Sequence, residues 1–315
     1  MSNSQKSSSR VAFQGEHGAF SEAAAIQLLG EEITTVPRAT FDSAFRAIAE
    51  GAADALLAPV ENSLAGSVVR VYDLLLESNL GIVAETILPI EHHLIGCPGA
   101  TLTGLKSVSS HPMALAQCEK FFLSHPELKR VPAEDTAGSV RDVLANGDKS
   151  AAGIAGRPAA IRYGGVILSE SIQDNAENFT RFVLLTPVRR EAIQGPPNSA
   201  VVSYAAITEL MADRQVRRME RSQSAETLKI SLALKLAHKP GALLAALEPF
   251  ARHGINLLKI ESRPIHGTPW EYQFFLDLQT DTPAKLDGAL QELTAATSFL
   301  RILGAYPPAS SESSI

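Results

Sequence analysis

Strands alternating with helices predict an α/β fold with mostly parallel sheets for the first two-thirds of this 315-residue chain, and a separate βαββαβ unit at its end. Three observations carry that prediction. Short apolar runs repeatedly end in a glycine or a polar cluster and are followed by a helical pattern. Their number exceeds what one compact sheet holds, which argues for two lobes with a cleft between them. From Glu191 to Glu226 the pattern lapses into Gly195-Pro196-Pro197 and a charged stretch, and a fresh alternation begins at Leu228.

The elements follow in order. Residues 11–13 form a strand, Gly15 and Gly18 a turn, and Ser21 caps the helix behind it. A helix over 41–50 is opened by Thr40 or Asp42. A buried strand over 55–60 runs into Glu61-Asn62-Ser63, and 68–76 is helical. Strands over 82–88 and 93–97 follow; the crossing between lobes falls near 88–93, with the return near 167–171. A strand over 107–109 ends at Ser110-His111-Pro112, ahead of a helix over 113–123. The run 131–133 leads through Asp135-Thr136 to a helix from Ala137. A strand over 151–154, a helix over 157–163 and a last strand over 182–186 complete the region.

The connector carries one expected helix, 206–221, and is long for a compact connection. The final unit reads as strand 228–236, helix 241–253, strands 255–262 and 272–278, helix 284–294 and strand 300–305, a ferredoxin-like order. The expected divisions are a tail over 1–10, a two-lobed domain over 11–189, a linker over 190–226, the second domain over 227–306 and a tail over 307–315.

Composition excludes several classes. Hydrophobic residues make up 45% and charged residues 20%, an ordinary globular balance. The formal net charge is −6 and no basic run tracks a phosphate backbone, so nucleic acid is not an expected partner. No apolar stretch approaches the ~18 residues of a membrane span. Residues 1–10 are polar, without the apolar core of a secretory signal, so the expected location is the cytoplasm and no membrane partner is expected. Cys97 and Cys118 read as two reduced, half-buried thiols. His92 and His93 are neighbours on a strand and point to opposite faces, so they do not close on one metal ion. Gly15 and Gly18 lack the full nucleotide-loop pattern and read as a tight turn. Ser110-His111 lacks a partnered aspartate for nucleophilic catalysis.

Three polar clusters sit at strand ends, where α/β folds place ligands: Glu61-Asn62-Ser63, Ser110-His111-Pro112 and the run from Asn175 to Phe182 that precedes the last strand. Each alone is commonly a turn or a helix cap. Together they resemble the prephenate dehydratase family. Phe13-Gln14-Gly15 through Ser21-Glu22-Ala23-Ala24, Pro59-Val60-Glu61-Asn62-Ser63-Leu64-Ala65-Gly66, Ser110-His111-Pro112 through Cys118, and Asn178-Phe179-Thr180-Arg181-Phe182 carry the likeness, the Thr-Arg-Phe triplet above all. In the second unit, Lys239-Pro240-Gly241-Ala242-Leu243 and Glu261-Ser262-Arg263-Pro264 resemble that family's ACT domain. Met113, Glu16-His17 and the long connector depart from the family pattern.

The resemblance implies a two-lobed fold like that of type II periplasmic binding proteins, and the conversion of prephenate to phenylpyruvate with loss of water and carbon dioxide. Arogenate, with an amino group in place of the keto oxygen, is the alternative substrate. A non-enzymic amino-acid-binding regulator is the alternative of another class. The implied catalytic residues are Thr180, Arg181, Phe182, Glu61, Asn62, Ser63 and His111, with Ser110, Thr136 and Asn178 binding substrate. A dianionic substrate asks for oriented N–H donors or a guanidinium fork, for which Arg181 is the expected residue. A departing hydroxyl asks for a proton donor, expected at Thr180. Aromatisation drives the reaction, so no cofactor or metal is expected. Gly241, Ala242, Leu243, Asn256, Glu261, Ser262, Arg263 and Pro264 are the implied L-phenylalanine site, at an interface between ACT domains of a homodimer or homotetramer.

Overall fold

A computed structural model of the chain describes residues 8–188, 227–265, 267 and 270–309. The expected connector helix over 206–221 lies outside the described residues. Two compact units emerge, and they do not follow chain order. The first contains Leu74 and everything described before it, together with Thr86–Val183; the second takes Leu75–Glu85 and the described residues of Leu184–Ala309.

The first unit has two lobes. In the first lobe, β1 (Arg10–Gln14) is parallel to both β2 (Thr34–Arg38) and β3 (Ala55–Asn62), and β11 (Phe179–Pro187) flanks β3. The two-residue β4 (Gly66–Ser67) folds back on β3. Helices α1 (Phe20–Leu29), α2 (Phe41–Ala49) and α3 (Val69–Glu77) alternate with these strands. The second lobe is a five-stranded sheet of β6 (His93–Gly96), β7 (Ser107–Ser110), β8 (Lys129–Pro132), β9 (Ala151–Ala155) and β10 (Val166–Ser169), in the order β10-β6-β9-β7-β8. Its helices are α4 (Pro112–Ala116), α5 (Glu119–Ser124), α6 (Thr136–Asn146) and α7 (Arg157–Tyr163). Strand β7 is parallel to β8 and β9, but β6 runs antiparallel to β9 and β10. The mostly parallel expectation fails at β6 alone, the strand by which the chain enters the lobe and whose direction no βαβ crossover sets; β10 runs parallel to β9, from which α7 carries the chain across to it.

Local readings change in three places. Ser21 does not cap α1; Ala19 holds the N-cap position and Ser21 is a buried first-turn residue. The Glu22 carboxylate does the work of holding the turn. It accepts Gly18 N at 2.6 Å, His17 Nδ1 at 2.7 Å and Thr35 Oγ1 at 2.6 Å. The single helix expected over 113–123 is two, broken at Gln117-Cys118, because Asp174 accepts the backbone amides of Glu119 and Lys120 at 3.0 and 2.9 Å and so caps a new helix there. The last strand of the region begins at Phe179, three residues early, because the polar cluster before it zips onto the end of β3: Ser63 N donates to Phe179 O at 2.8 Å and Phe179 N to Ser63 Oγ at 2.9 Å.

In the second unit, β12 (Leu228–Lys235), α8 (Ala242–Arg252), β13 (Asn256–Pro264), β14 (Tyr272–Thr280), α9 (Pro283–Ala296) and β15 (Phe299–Tyr306) realise the βαββαβ order. The antiparallel sheet runs β13-β14-β12-β15. One face packs Ile230, Leu232, Leu234, Leu276 and Leu278 on Phe250, Leu286, Leu290 and Leu293 of the helices. Burying each such side chain fully contributes roughly 1.5–3 kcal/mol. The other face is buried too, and polar: Lys229, Ser231, Asp277 and Arg301 are all under 10% exposed. The first half of β5 (Leu80–Pro89) runs beside β15, Gly304 opposite Ile82. Arg301 donates to the carbonyls of Leu76 and Ser78, both at 2.7 Å.

Gly304 makes that approach possible. A Cβ built there would stand 2.1 Å from the Ile82 carbonyl oxygen, a backbone atom that cannot step aside. Gly304→Ala is therefore expected to destabilise the protein by at least about 1–3 kcal/mol, the usual range for overpacking, in a denaturant melt. Unchanged stability would mean that β5 and β15 separate at no cost.

Candidate active site

A cleft of about 570 Å³ opens within the first unit. Four helix N-termini reach it: those of α1, α2, α4 and α6, through Phe20, Thr40, His111 and Thr136. Each helix end presents backbone N–H groups and a partial positive charge. Three of the four spend a donor on a side-chain cap. Thr40 takes Ser43 N, His111 Nδ1 takes Met113 N and Asp135 takes Gly138 N. Helix α1 has no side-chain cap, so its first-turn amides remain for a ligand.

Of the expected site residues, Asn62, His111, Thr136, Thr180 and Phe182 line the cleft. Pro59, Val68 and Ile90 add apolar wall. Side chains alternate along a strand, so Thr180 and Phe182 take the cleft face of β11 and Arg181 does not. The guanidinium fork expected there does not open into the cleft. Arg181 instead lies 11% exposed, with Nη1 3.8 Å from Glu61 Oε2. Glu61 likewise is not part of the cleft wall. Ser63 and Ser110 also leave it: Ser63 Oγ donates to Glu177 O at 3.0 Å, and Ser110 Oγ, fully buried, donates to Ile154 O at 2.7 Å. Asn178, 1% exposed, stands behind the wall.

Hydrogen bonds fix the protonation geometry of the two residues that matter most. Asn62 Oδ1 accepts the amides of Leu64 and Ala65 at 3.0 and 2.8 Å, which turns Nδ2 toward Thr180 Oγ1 at 2.9 Å. The Thr180 oxygen is thus an acceptor from Asn62, and its own hydrogen is left to donate. His111 Nδ1 accepts Met113 N at 3.2 Å, so the neutral ring carries its proton on Nε2.

Two cleft residues escaped the sequence reading. Gln117 stands in the Ser110–Cys118 motif but carries no chemical signal of its own. His92 was weighed only as a metal ligand. Both line the cleft and bond each other, Nε2 to Oε1, at 2.9 Å. His93 faces elsewhere, its Nδ1 accepting Ser171 N at 3.1 Å. Among the described residues no group of three or more His, Cys, Asp or Glu is placed to hold a metal ion.

The thiols are more buried than half. Cys97 is 4% exposed and Cys118 fully buried. Burial, and then the charge of Asp174, push the Cys118 thiol up to about 12. At pH 8 its thiolate fraction is then on the order of 10⁻⁴. A thiol-reactive disulfide such as Ellman's reagent is expected to leave both cysteines untouched in the folded protein and to count both after unfolding. Rapid labelling of the native protein would contradict this.

The second unit holds the residues expected to bind phenylalanine on two segments. Gly241 sits at the head of α8 with φ 78°, and a Cβ there would meet nothing within 4 Å. Its left-handed backbone is one that glycine adopts without strain. Ala242 and Leu243 open the helix. Asn256, Glu261, Ser262, Arg263 and Pro264 lie on β13, the edge strand of the sheet.

Comparison with known proteins returns two family matches: "Prephenate dehydratase" over residues 11–190 and "ACT domain" over residues 230–294. Arogenate dehydratase/prephenate dehydratase 2 of Arabidopsis thaliana is 36% identical over 308 residues, covering 95% of this chain and 72% of that protein. A solved prephenate dehydratase from Arthrobacter aurescens, in complex with L-Phe, superposes with a TM-score of 0.77 at 29% identity, over 96% of this chain and 91% of the other. A structure described as GqqA, a novel type of quorum quenching acylase, gives a TM-score of 0.76 at 30% identity, over 97% and 99% of the two chains.

Proposed function

The chain belongs to the prephenate dehydratase family and carries an ACT domain behind its catalytic region, and on that premise we propose that its cleft converts prephenate to phenylpyruvate. The bond between the ring and its hydroxyl breaks, and the oxygen leaves with the electron pair, takes a proton and departs as water. The bond to the ring carboxylate breaks as well; its electron pair closes the aromatic ring and carbon dioxide is lost. Aromatisation supplies the driving force, so the reading asks for no redox group.

The observation that carries the reading is the Thr180 hydroxyl, 8% exposed in the cleft wall and held as a donor by Asn62. Thr180 is assigned to the departing hydroxyl. The uncapped amides of α1, with Thr136 and His111 Nε2–H, are assigned to the carboxylates. Phe182, Pro59, Val68 and Ile90 form the poorly solvating wall that favours loss of the ring carboxylate. Arg181 with Glu61, and Ser63, Ser110 and Asn178, hold the strands that present these groups. In the ACT domain, Gly241, Ala242, Leu243, Asn256, Glu261, Ser262, Arg263 and Pro264 are assigned to L-phenylalanine between two subunits of a dimer or tetramer. The L-Phe complex of the Arthrobacter aurescens protein supports that assignment.

One observation favours arogenate as the substrate. Asp42, Glu134 and Asp135 line the cleft, and no lysine or arginine among the described residues does. An ammonium group suits that lining better than the keto oxygen of prephenate does. The acylase named among the similar structures is a third possibility to assay, although Thr180 Oγ1 is bonded to an amide and not to a general base.

The test is purified protein given prephenate, arogenate and a general acylase substrate in separate assays, each with and without phenylalanine. Aromatic product from prephenate or arogenate supports a dehydratase, and the larger kcat/KM names the substrate. No aromatic product from either, with saturable phenylalanine binding by calorimetry, would leave a regulator in place of an enzyme. No phenylalanine binding up to millimolar concentration would remove the sensor.

A further inference from the structure

Two backbone amides set the direction of a hydrogen-bond chain that ends on a buried histidine. Because Leu64 N and Ala65 N occupy Asn62 Oδ1, Asn62 Nδ2 must donate: its nearest acceptors are Asn178 Oδ1 at 2.7 Å and Thr180 Oγ1 at 2.9 Å, with the Phe179 carbonyl farther off at 3.1 Å. Asn178 Nδ2 is then the end that donates to Gln117 Oε1, at 3.2 Å. That same oxygen lies 2.9 Å from His92 Nε2. A carbonyl oxygen only accepts, so His92 carries its proton on Nε2. Its Nδ1 is left as a bare lone pair, buried and with no hydrogen-bond partner, in a residue 2% exposed.

A buried acceptor without a partner is destabilising, and here it has a cause. The opposite tautomer would set the Nε2 lone pair against Gln117 Oε1 and free that end of the chain. The ring has little room to turn away. Phe20 packs edge-on against it at 5.7 Å, and its backbone N–H is held by Gln173 Oε1 at 2.9 Å. Burial lowers its pKa, which keeps the ring neutral and the polarity of the chain intact.

We propose that His92 is a positioning residue for Thr180, its Nε2–H locking the far end of the Gln117–Asn178–Asn62 chain and so keeping the Thr180 hydroxyl aimed as a donor into the cleft. This rests on the dehydratase reading of the cleft. It places a new residue in that site, at the end of the chain opposite Thr180, and gives the orphaned Nδ1 a reason: it is the consequence of a tautomer chosen by the network.

Three substitutions in the full-length protein separate the two ring nitrogens. His92→Gln sets an amide nitrogen where Nε2 stands, His92→Asn reaches only as far as Nδ1, and His92→Phe keeps a ring with neither. With melting temperatures near wild type, His92→Gln is expected to keep kcat within about threefold. His92→Asn and His92→Phe are expected to lose roughly 10–100-fold in kcat, with KM moved far less. A readout independent of activity is nitrogen-15 NMR of imidazole-labelled protein, which is expected to show the Nε2–H tautomer at His92 in wild type and a tautomer mixture in Gln117→Leu. Wild-type turnover in His92→Phe, better rescue by Asn than by Gln, or an Nδ1–H tautomer in wild type would each overturn the proposal. Failure of the wild type to turn over prephenate or arogenate would sink the dehydratase reading instead, while the NMR arm still reports the chain.

Discussion

Thr180→Val is expected to lower kcat by about 10²–10⁴-fold while KM changes little, the range lost when a positioned proton donor is removed. Valine keeps the β-branched shape that the strand and the cleft wall need, so the change removes a hydroxyl and little else. The hydroxyl is singled out by its partner: Asn62 Nδ2 takes its lone pair at 2.9 Å and leaves its hydrogen for the substrate. A threonine hydroxyl is a weak acid, so its contribution lies in a hydrogen bond that strengthens as negative charge grows on the departing oxygen. Such an interaction is stronger in the transition state than in the ground state, which is why the loss falls on kcat. Thr180→Ser should recover most of the rate. Asn62→Leu should resemble Thr180→Val, and the double variant should be little worse than either, because the two act as one unit. Near-normal turnover in Thr180→Val would remove the hydroxyl from the chemistry. Equal losses in Thr180→Ser and Thr180→Val would show that the position, and not the hydroxyl, is what matters.

The second large effect is expected on stability, within the second unit. Lys229 Nζ donates to both carboxylate oxygens of Glu85, at 3.1 and 3.0 Å, with the two side chains 10% and 2% exposed. Glu85 Oε1 also accepts Ala309 N at 2.9 Å. Lys229→Met leaves a carboxylate buried without its cation, which typically costs about 3–5 kcal/mol. A drop in Tm on the order of 10 °C should follow. Replacing both, as Lys229→Met with Glu85→Leu, removes the desolvated charges together and should restore most of the loss. The pair is shielded from solvent, so added salt should change the single-variant deficit little. A Tm unchanged in Lys229→Met would mean that water reaches Glu85. A double variant no better than the single would place the defect in packing and not in charge.

The polar layer around that pair shows where reading from sequence reaches its limit. Period-two alternation over 228–236 correctly marked a strand with one apolar face. Ordinary experience then assigns Lys229 and Ser231 to solvent, as on most antiparallel sheets with one covered side. Instead Ser231 Oγ sits 2.5 Å from Asp277 Oδ1 and 2.6 Å from the Tyr306 hydroxyl, all buried. Nothing local in 228–236 announces that Lys229 is buried, because its partner Glu85 lies on β5, 144 residues earlier in the chain. The strand β2 was missed for a related reason: Thr34–Arg38, with its proline, is a poor strand former that pairs because β1 offers it a parallel edge.

By itself the sequence determined what depends on neighbours along the chain. The α/β alternation, the βαββαβ order of the second unit, the opening of the second helix at Thr40 or Asp42 and the polar strand ends all follow from period, propensity and turn chemistry within a dozen residues. It also brought Thr180, Phe182, Asn62, His111 and Thr136 forward as site residues, and the cleft wall holds all five. Tertiary structure alone decided the rest. It cut the helix at Gln117-Cys118 with the carboxylate of Asp174, turned Arg181 toward Glu61 on the hidden face of its strand, and replaced Ser21 as a cap with Glu22 reaching back to Gly18. It also chose the tautomer of His92 through Asn62, Asn178 and Gln117. The physical reason is common to all four. A polar group that folding takes out of water settles on whatever partner the fold brings within about 3–4 Å, and sequence spacing carries no record of which partner that is.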